Sequence, residues 1–450
     1  MRRSVAAWAP ALCAALAAPA QAQPGPPGPL PLGRELPTFS AAADPAASAA
    51  PAAVDPTGVL GLEDALAAAL LGNPELASEA YELRAREAAL LQAGRRPNPT
   101  LSLEVEDVLG SGELGGASES QTTLEIGQLV ELGGKRAARV RLAEAERGLA
   151  GWDHEARRLD VFTATADAFA ELLAAQERSR LAAAAARLAA ALGRAARQRV
   201  AAGLASPAER IRADVTVAEA ALASERAERA VAVARAALAQ QWGGTEARFE
   251  RAAGDLGVPP EPPPLDELRS RAAGSPERAR WAVAREGRDA ELAGARSARV
   301  PDVTLAAGPR YLAGSDDATL VFGASLPLPL WDRNDGAIAE ARYRRARVEQ
   351  EQRAAEQRAD AELAAARAAL LASSAEAERL GASVLPALDR LAAELRRGYE
   401  AGRNSQHEVL EAEAERIATS LRRVDALLEA QRAAHRLERL TGAPLGRAAR

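Results

Sequence analysis

Apolar residues follow two rhythms along this chain. In long stretches they step by three and four: Leu159, Phe162, Ala166, Phe169 and Leu173, then Ile211, Val215, Ala218 and Leu222. The second half repeats the rhythm with Val384, Leu388, Leu391 and Leu395, then Leu410, Ala414, Ile417, Leu421, Val424 and Leu428. Such spacing marks helical seams of coiled-coil type. Elsewhere apolar and polar residues alternate, as in Leu101, Leu103 and Val105, in Leu124 and Ile126, in Val303 and Leu305, and in Leu320, Phe322, Ala324 and Leu326. The alternation predicts strands at about 100–108, 121–131, 301–311 and 318–330, close to the ~9–11 residues of a tilted transmembrane strand. The links Gly110–Ser120 and Gly308–Ala318 read as solvent-side loops.

The two halves resemble each other. Asn73-Pro74-Glu75 is echoed by Ser275-Pro276-Glu277, and Pro99, Leu101 and Leu103 by Pro301, Val303 and Leu305. Further on, Gly203, Ser206, Glu209 and Ile211 are echoed by Gly402, Ser405, Glu408 and Leu410. A duplication of this kind implies pseudo-symmetry. Each repeat should run helix, two strands, long helix, tight turn, long helix. The first occupies 59–250 with its hairpin tip at about 200–207, and the second occupies 265–441 with its tip at about 399–406. A proline-rich linker at 251–264 separates them, a Pro/Ala-rich linker precedes them at 23–58, and a tail follows at 442–450. Gly203 and Gly402 suit left-handed helix ends, while Ser206 to Glu209 and Ser405 to Glu408 have capping-box spacing. Pro386 should kink the second long helix.

Helix from Arg136 to Arg199 would span about 96 Å, too long to bury itself in one globule. Four strands cannot close a barrel, and open sheet edges in lipid leave backbone groups unsatisfied at several kcal/mol each. Oligomerisation follows: two chains would supply eight strands and three would supply twelve. Soluble hairpins capping a helical body are the alternative that pattern alone leaves open.

Composition narrows the chemistry. With 57 Lys and Arg against 62 Asp and Glu, the net charge of −5 offers no basic footprint for nucleic acid. One cysteine, one methionine and three scattered histidines leave no metal or thiol motif, and no cofactor is expected. No nucleophile–base arrangement or phosphate-binding glycine loop suggests an enzyme. Residues 1–22 read as a secretory signal, with Arg2 and Arg3, an apolar run from Val5 to Ala18, and Ala20-Gln21-Ala22 before the cut. Cys13 would leave with it.

Two strand-to-helix junctions carry a resemblance. They are Leu129-Val130-Glu131-Leu132-Gly133-Gly134-Lys135-Arg136 and Leu326-Pro327-Leu328-Pro329-Leu330-Trp331-Asp332-Arg333-Asn334-Asp335-Gly336. With the duplication, strand pairs and tips, they resemble the TolC-like outer membrane efflux proteins, most closely the heavy-metal (CzcC-like) branch, over about 62–440. The resemblance implies a mainly α fold with a small membrane β part: a homotrimer whose twelve-stranded β-barrel continues as a long α-helical barrel into the periplasm. It also implies a passive duct in outer membrane lipid, served by a periplasmic adaptor and an inner-membrane RND pump.

The resemblance also suggests a gate at the tips. Glu408 and Glu411 fall where the family has paired acidic residues at its periplasmic aperture, Tyr399 where it has a gating tyrosine, and Glu209 where it has an acidic partner. Asn404 stands where TolC has an arginine, with Arg403 the nearest substitute. Six carboxylates around a narrow opening would repel, by about 3 kcal/mol for a pair ~6 Å apart at an effective dielectric near 20. Read without the family, Glu408 is a helix cap and Glu411 a solvated residue. Val200, Gly203, Leu204, Gly402 and Arg403 are the expected adaptor contacts, because tips are the exposed ends of such a cylinder. His407 and His435, about 42 Å apart along a helix, cannot share a metal, and His154 reads as a solvated surface residue. A periplasmic adaptor and a structural coiled coil are the rival readings. The cargo is not legible; heavy-metal cations and small drugs both remain.

Overall fold

The computed structural model describes residues 38–42, 55–109, 111–112 and 116–445. The signal assigned to 1–22 lies outside these residues. The order is β1 (Gly58–Leu60), α1 (Leu62–Gly72), α2 (Pro74–Ala93), β2 (Thr100–Glu106), β3 (Gln121–Val130), α3 (Lys135–Ala201) and α4 (Pro207–Gln240). Then come β4 (Phe249–Ala252), α5 (Leu265–Ala272), α6 (Pro276–Ser297), β5 (Val303–Leu312) and β6 (Asp317–Ser325). The chain ends in α7 (Asp335–Arg379), a π-helical turn (Leu380–Val384), α8 (Leu385–Glu400) and α9 (Gln406–Thr441). The echo at Asn73 and Ser275 marks helix starts: the Asn73 side chain accepts from the Glu75 and Leu76 N–H groups at 2.9 and 3.1 Å.

The four longer strands form one antiparallel sheet in the order β2-β3-β5-β6, leaving β2 and β6 as open edges. Register places Leu101 opposite Ile126 and Leu103 opposite Leu124, then Ala307 opposite Phe322 and Pro309 opposite Leu320. One face is therefore apolar from edge to edge. Leu101, Leu103, Ile126, Leu320 and Phe322 are all exposed on it. The other face carries Ser102, Glu104, Thr123, Glu125, Thr304, Arg310 and Thr319. Arg310 spans three strands, reaching Thr123 at 2.8 Å, Gln121 at 3.1 Å and Glu106 at 3.3 Å. Pro309 lacks an N–H, and the β3–β5 pairing skips from Thr123–Arg310 to Ile126–Ala307 around it. There a Cβ on Gly308 would overlap the Leu124 carbonyl.

Strand limits differ from expectation at two places. The run predicted to reach 330 ends at Ser325, because Pro327 and Pro329 supply no ladder donors. The loop placed at Gly308–Ala318 shrinks to four residues, since β5 continues to Leu312 and β6 starts at Asp317. Part of the Pro/Ala-rich 23–58 linker packs on the helices. The Phe39 N–H bonds the Leu70 carbonyl at 3.0 Å, Ala41 is buried, and Gly58 pairs in parallel with β4.

Neighbouring helices line up as α2-α3-α6-α7 beside the sheet and as α4-α3-α9-α8 toward the tips. Two equivalent cores sit between these zones. One gathers Leu60, Phe169, Leu172, Leu238, Trp242 and Phe249, the other Leu268, Leu363, Leu370, Leu437, Leu440 and Leu445. Leu445, from the expected tail, packs in the second. Across the α3–α9 seam, Asp160–Arg439 (2.5 Å), Asp167–His435 (2.7 Å), Glu171–Arg432 (2.8 Å) and Arg178–Asp425 (2.6 Å) form an antiparallel ladder that fixes the register of the repeats.

The seam read from Ile211, Val215, Ala218 and Leu222 does not face α3. Alanines Ala213, Ala234 and Ala239, with Leu238, make that contact, and the Ile211 stripe lies exposed on the opposite side of α4. At Pro386 the helix is irregular, as the expected kink requires, with a π turn just before it. The π turn before it absorbs the missing hydrogen bond, and Gly381 within that turn leaves room for the Arg423 guanidinium. His154 is half-buried rather than a solvated surface residue: its Nδ1 is buried with no hydrogen-bond partner among the described residues, and burial holds its pKa below the usual histidine value.

Candidate functional site: the hairpin tips

Both tips use one backbone device. In the first, Gly203 (φ 73°) follows α3, with Leu204 N–H bonded to the Arg199 carbonyl at 2.8 Å. In the second, Gly402 (φ 72°) follows α8, with Arg403 N–H bonded to the Gly398 carbonyl at 2.7 Å. Six-to-one bonds of this kind close a helix sharply, and glycine takes the left-handed position without a Cβ penalty. The next helices then start on serine caps. Ser405 and Glu408 form a full capping box, Glu408 accepting from the Ser405 N–H at 2.7 Å. Ser206 accepts from the Glu209 N–H at 3.3 Å without the reciprocal bond, so the first box is only half made.

The expected gate residues divide into two groups. Glu408 is held by its cap: the Ser405 N–H, then the Ser405 hydroxyl and the Asn404 side chain, lower its pKa below the usual carboxylate value. Glu411 is exposed one turn on, and Glu415 a turn further, so α9 presents a column of three carboxylates on one face. The i, i+4 spacing from Glu411 would have revealed Glu415.

Tyr399 instead turns to the other hairpin. The Arg199 guanidinium, in the last turn of α3, sits 5.8 Å from its ring centroid. The Tyr399 hydroxyl first, and the nearby charge of Glu209 after it, raise the pKa of this guanidinium further. Arg199, not Arg403, is thus the cation that lies against Tyr399. Arg403 is exposed and makes no ion pair among the described residues. Asn404 tucks against Gly398, where any Cβ would collide with its Oδ1. A second link joins the hairpins: Gln406, buried at the start of α9, donates to the Leu192 carbonyl at 2.9 Å. Neither Arg199 nor Gln406 lies in a motif, and only the packing of one tip on the other reveals them.

Of the expected adaptor contacts, Val200 is half-buried and Gly203, Leu204, Gly402 and Arg403 are exposed, Leu204 to 71%. Glu413 was not anticipated. It is 2% exposed, clasped by Arg396 across the hairpin and by Arg416 at 3.0 Å. This pairing locks α8 and the start of α9 into one unit. Among the described residues, no group of three or more His, Cys, Asp and Glu side chains could hold a metal. No helix there is long and apolar enough to cross a membrane.

Comparison with known proteins agrees with this architecture. The chain matches the outer membrane efflux protein family over residues 65–244 and 272–443. It is 32% identical over 385 residues to the cobalt-zinc-cadmium resistance protein CzcC of Cupriavidus metallidurans, covering 86% of this chain and 90% of that protein. A membrane protein from Pseudomonas aeruginosa shares the fold with a TM-score of 0.73 at 21% identity, covering 88% of this chain and 99% of the other. The open state of the MtrE outer membrane channel of Neisseria gonorrhoeae does so with a TM-score of 0.72 at 19% identity, covering 85% and 89%. An apolar-faced sheet continued by long duplicated hairpins, matched over most of its length, places the chain in the outer membrane efflux protein family, within the heavy-metal branch, as an outer membrane duct reaching into the periplasm.

Proposed function

We propose that three copies close into one passive duct that exports divalent metal cations delivered by an RND pump and a periplasmic adaptor. The observation that carries the assembly is that both layers of the protomer are open at the same two sides. The sheet ends in β2 and β6, the helical layer in α4 and α8. One open side belongs to the first repeat and the other to the second, so head-to-tail contacts form a ring. The exposed stripe of Ile211, Val215 and Leu222 on α4 supports this, as do Val384 and Leu391 on the π turn and α8. Cargo follows by similarity to the cobalt-zinc-cadmium resistance protein. With no metal-holding cluster among the described residues, the duct screens charge rather than ligates, and selection falls to the pump.

In this reading Glu408, Glu411 and Glu415 line the periplasmic aperture and favour cations. Arg199 and Gln406 hold the second hairpin closed through Tyr399 and Leu192, with Glu209 beside Arg199. Val200, Gly203, Leu204, Gly402 and Arg403 meet the adaptor. Replacing Glu408 and Glu411 together with alanine should reduce the cation preference of single channels in a planar bilayer. Unchanged ion selectivity would remove the acidic aperture from the account.

A further inference from the structure

The sheet is concave on its polar side. Along β5 the apolar-face residues Leu305, Ala307, Pro309 and Tyr311 are exposed, whereas Thr304, Ala306, Gly308, Arg310 and Leu312, which alternate with them, are partly or fully shielded. A sheet curved this way encloses its polar face when it closes, so these residues and their cross-strand neighbours line the lumen. The register puts four carboxylates on that wall: Glu104 and Glu106 from β2, Glu125 from β3 and Asp317 from β6. Arg310 is the one cation that the paired strand residues place there. Four negative charges and one positive leave a net −3 on the wall of each copy.

Three of these carboxylates surround one spot. Glu104 and Glu106 are successive residues of one strand face, about 7 Å apart. Glu125 faces Ser102 and is thus the diagonal neighbour of Glu104, at roughly 7–8 Å. Gly308, beside Glu125, adds no side chain to cover it. Arg310 reaches into this group from β5. Its guanidinium meets Glu106 at 3.3 Å and is pinned by the Thr123 hydroxyl at 2.8 Å and Gln121 at 3.1 Å. Glu104 and Glu125 have no ion pair among the described residues. A cross-strand staple to a threonine and a glutamine needs only a neutral donor, so the positive charge has a separate consequence, which falls on the ions in the lumen.

We propose that Arg310 is a specificity-determining residue of the exit: it occupies Glu106 and fixes a positive charge among the three carboxylates, so that divalent cations are drawn along the lumen by its net charge without being ligated there. A conducting wall must attract ions and also release them. Three free carboxylates on neighbouring positions supply the oxygen donors that hold a divalent cation, which meets the first need and defeats the second. Arg310 removes one carboxylate from that set and opposes a cation at the other two. The inference rests on the cation-duct reading and adds what keeps cargo moving once it has passed the tips.

Planar-bilayer recordings of the full-length protein test it, with potassium current read while cobalt(II) chloride is added on the barrel side. The parent should be blocked weakly. Arg310→Gln should be blocked at roughly ten-fold lower cobalt, the effect of one unit charge about 7 Å from a divalent ion at a water-like dielectric. Glu104→Gln with Glu125→Gln in the same chain should reverse that gain, and Arg310→Lys, which keeps the charge, should match the parent. A second reading serves if Arg310→Gln does not assemble: Glu106→Gln leaves the guanidinium unpaired and should lower the cation preference in a potassium chloride gradient. Unchanged cobalt block in assembled Arg310→Gln, block of Arg310→Lys as strong as that of Arg310→Gln, or an unchanged reversal potential of Glu106→Gln overturns the proposal while the parent's cation preference still upholds the duct. An anion-preferring parent would overturn the cation-duct reading itself.

Discussion

Arg199→Ala removes the cation that, among the described residues, lies over Tyr399, and its effect follows from the tip geometry. The guanidinium lies over the ring, 5.8 Å from its centroid, with the hydroxyl raising its pKa. At a mostly solvated site such a cation–π contact is worth about 1 kcal/mol. In a ring of three copies opened as a unit, three such links add to about 3 kcal/mol, or roughly a 100-fold shift from closed toward open. Gln406 remains in the variant, so closure is weakened and not abolished. In a planar bilayer, purified Arg199→Ala should show larger or more frequent openings than the parent protein at the same voltage, whereas Arg403→Ala should behave as the parent. Parent-like conductance of Arg199→Ala, with an effect of Arg403→Ala instead, would refute the assignment of the cation to the first hairpin.

Other outcomes follow from single sites. Glu413→Ala should destabilise the second hairpin by about 2 kcal/mol, below the ~3–5 of a fully buried pair because both arginines reach water; a thermal melt comparing it with the neutral control Glu415→Ala reads this directly. Burial lowers the His154 pKa against the opposing pull of Glu155 and Glu79, with Arg158 acting in the same direction as burial. The unfolded chain therefore binds the proton first, and stability should fall as pH drops below about 6.5, levelling off below the folded value. His154→Phe should flatten that slope in melts at pH 5 and 7.5. Leu204→Asp should reach the outer membrane normally and lose adaptor binding in a pull-down; full retention would count against the contact.

The duplication, both turns and the four strands were legible because they rest on local chemistry: period-two alternation, glycine at helix ends and serine caps. What was illegible is non-local. A three-four seam states that a helix has an apolar face, not which neighbour covers it, and Ile211, Val215 and Leu222 lie exposed while alanines make the α3 contact. The cation that meets Tyr399 lies not beside Asn404 in sequence but two hundred residues away on α3, because the tips pack on each other. Residues 38–42 looked too poor in apolar groups to order, yet Phe39 finds Tyr81 and Leu70 on helices that supply the missing surface. Prolines after β6 were absorbed into a strand because their leucine partners keep its alternation.

The central claim is that open edges of one copy are closed by the next. Cysteines placed in β2 at Ser102 and, in turn, in β6 at Thr319, Val321 and Gly323 test it by oxidation in native membranes. The account predicts that at least one pairing gives a gel ladder of one, two and three chains that ends at three. Absence of cross-links at every pairing, or a ladder running past three, would contradict it.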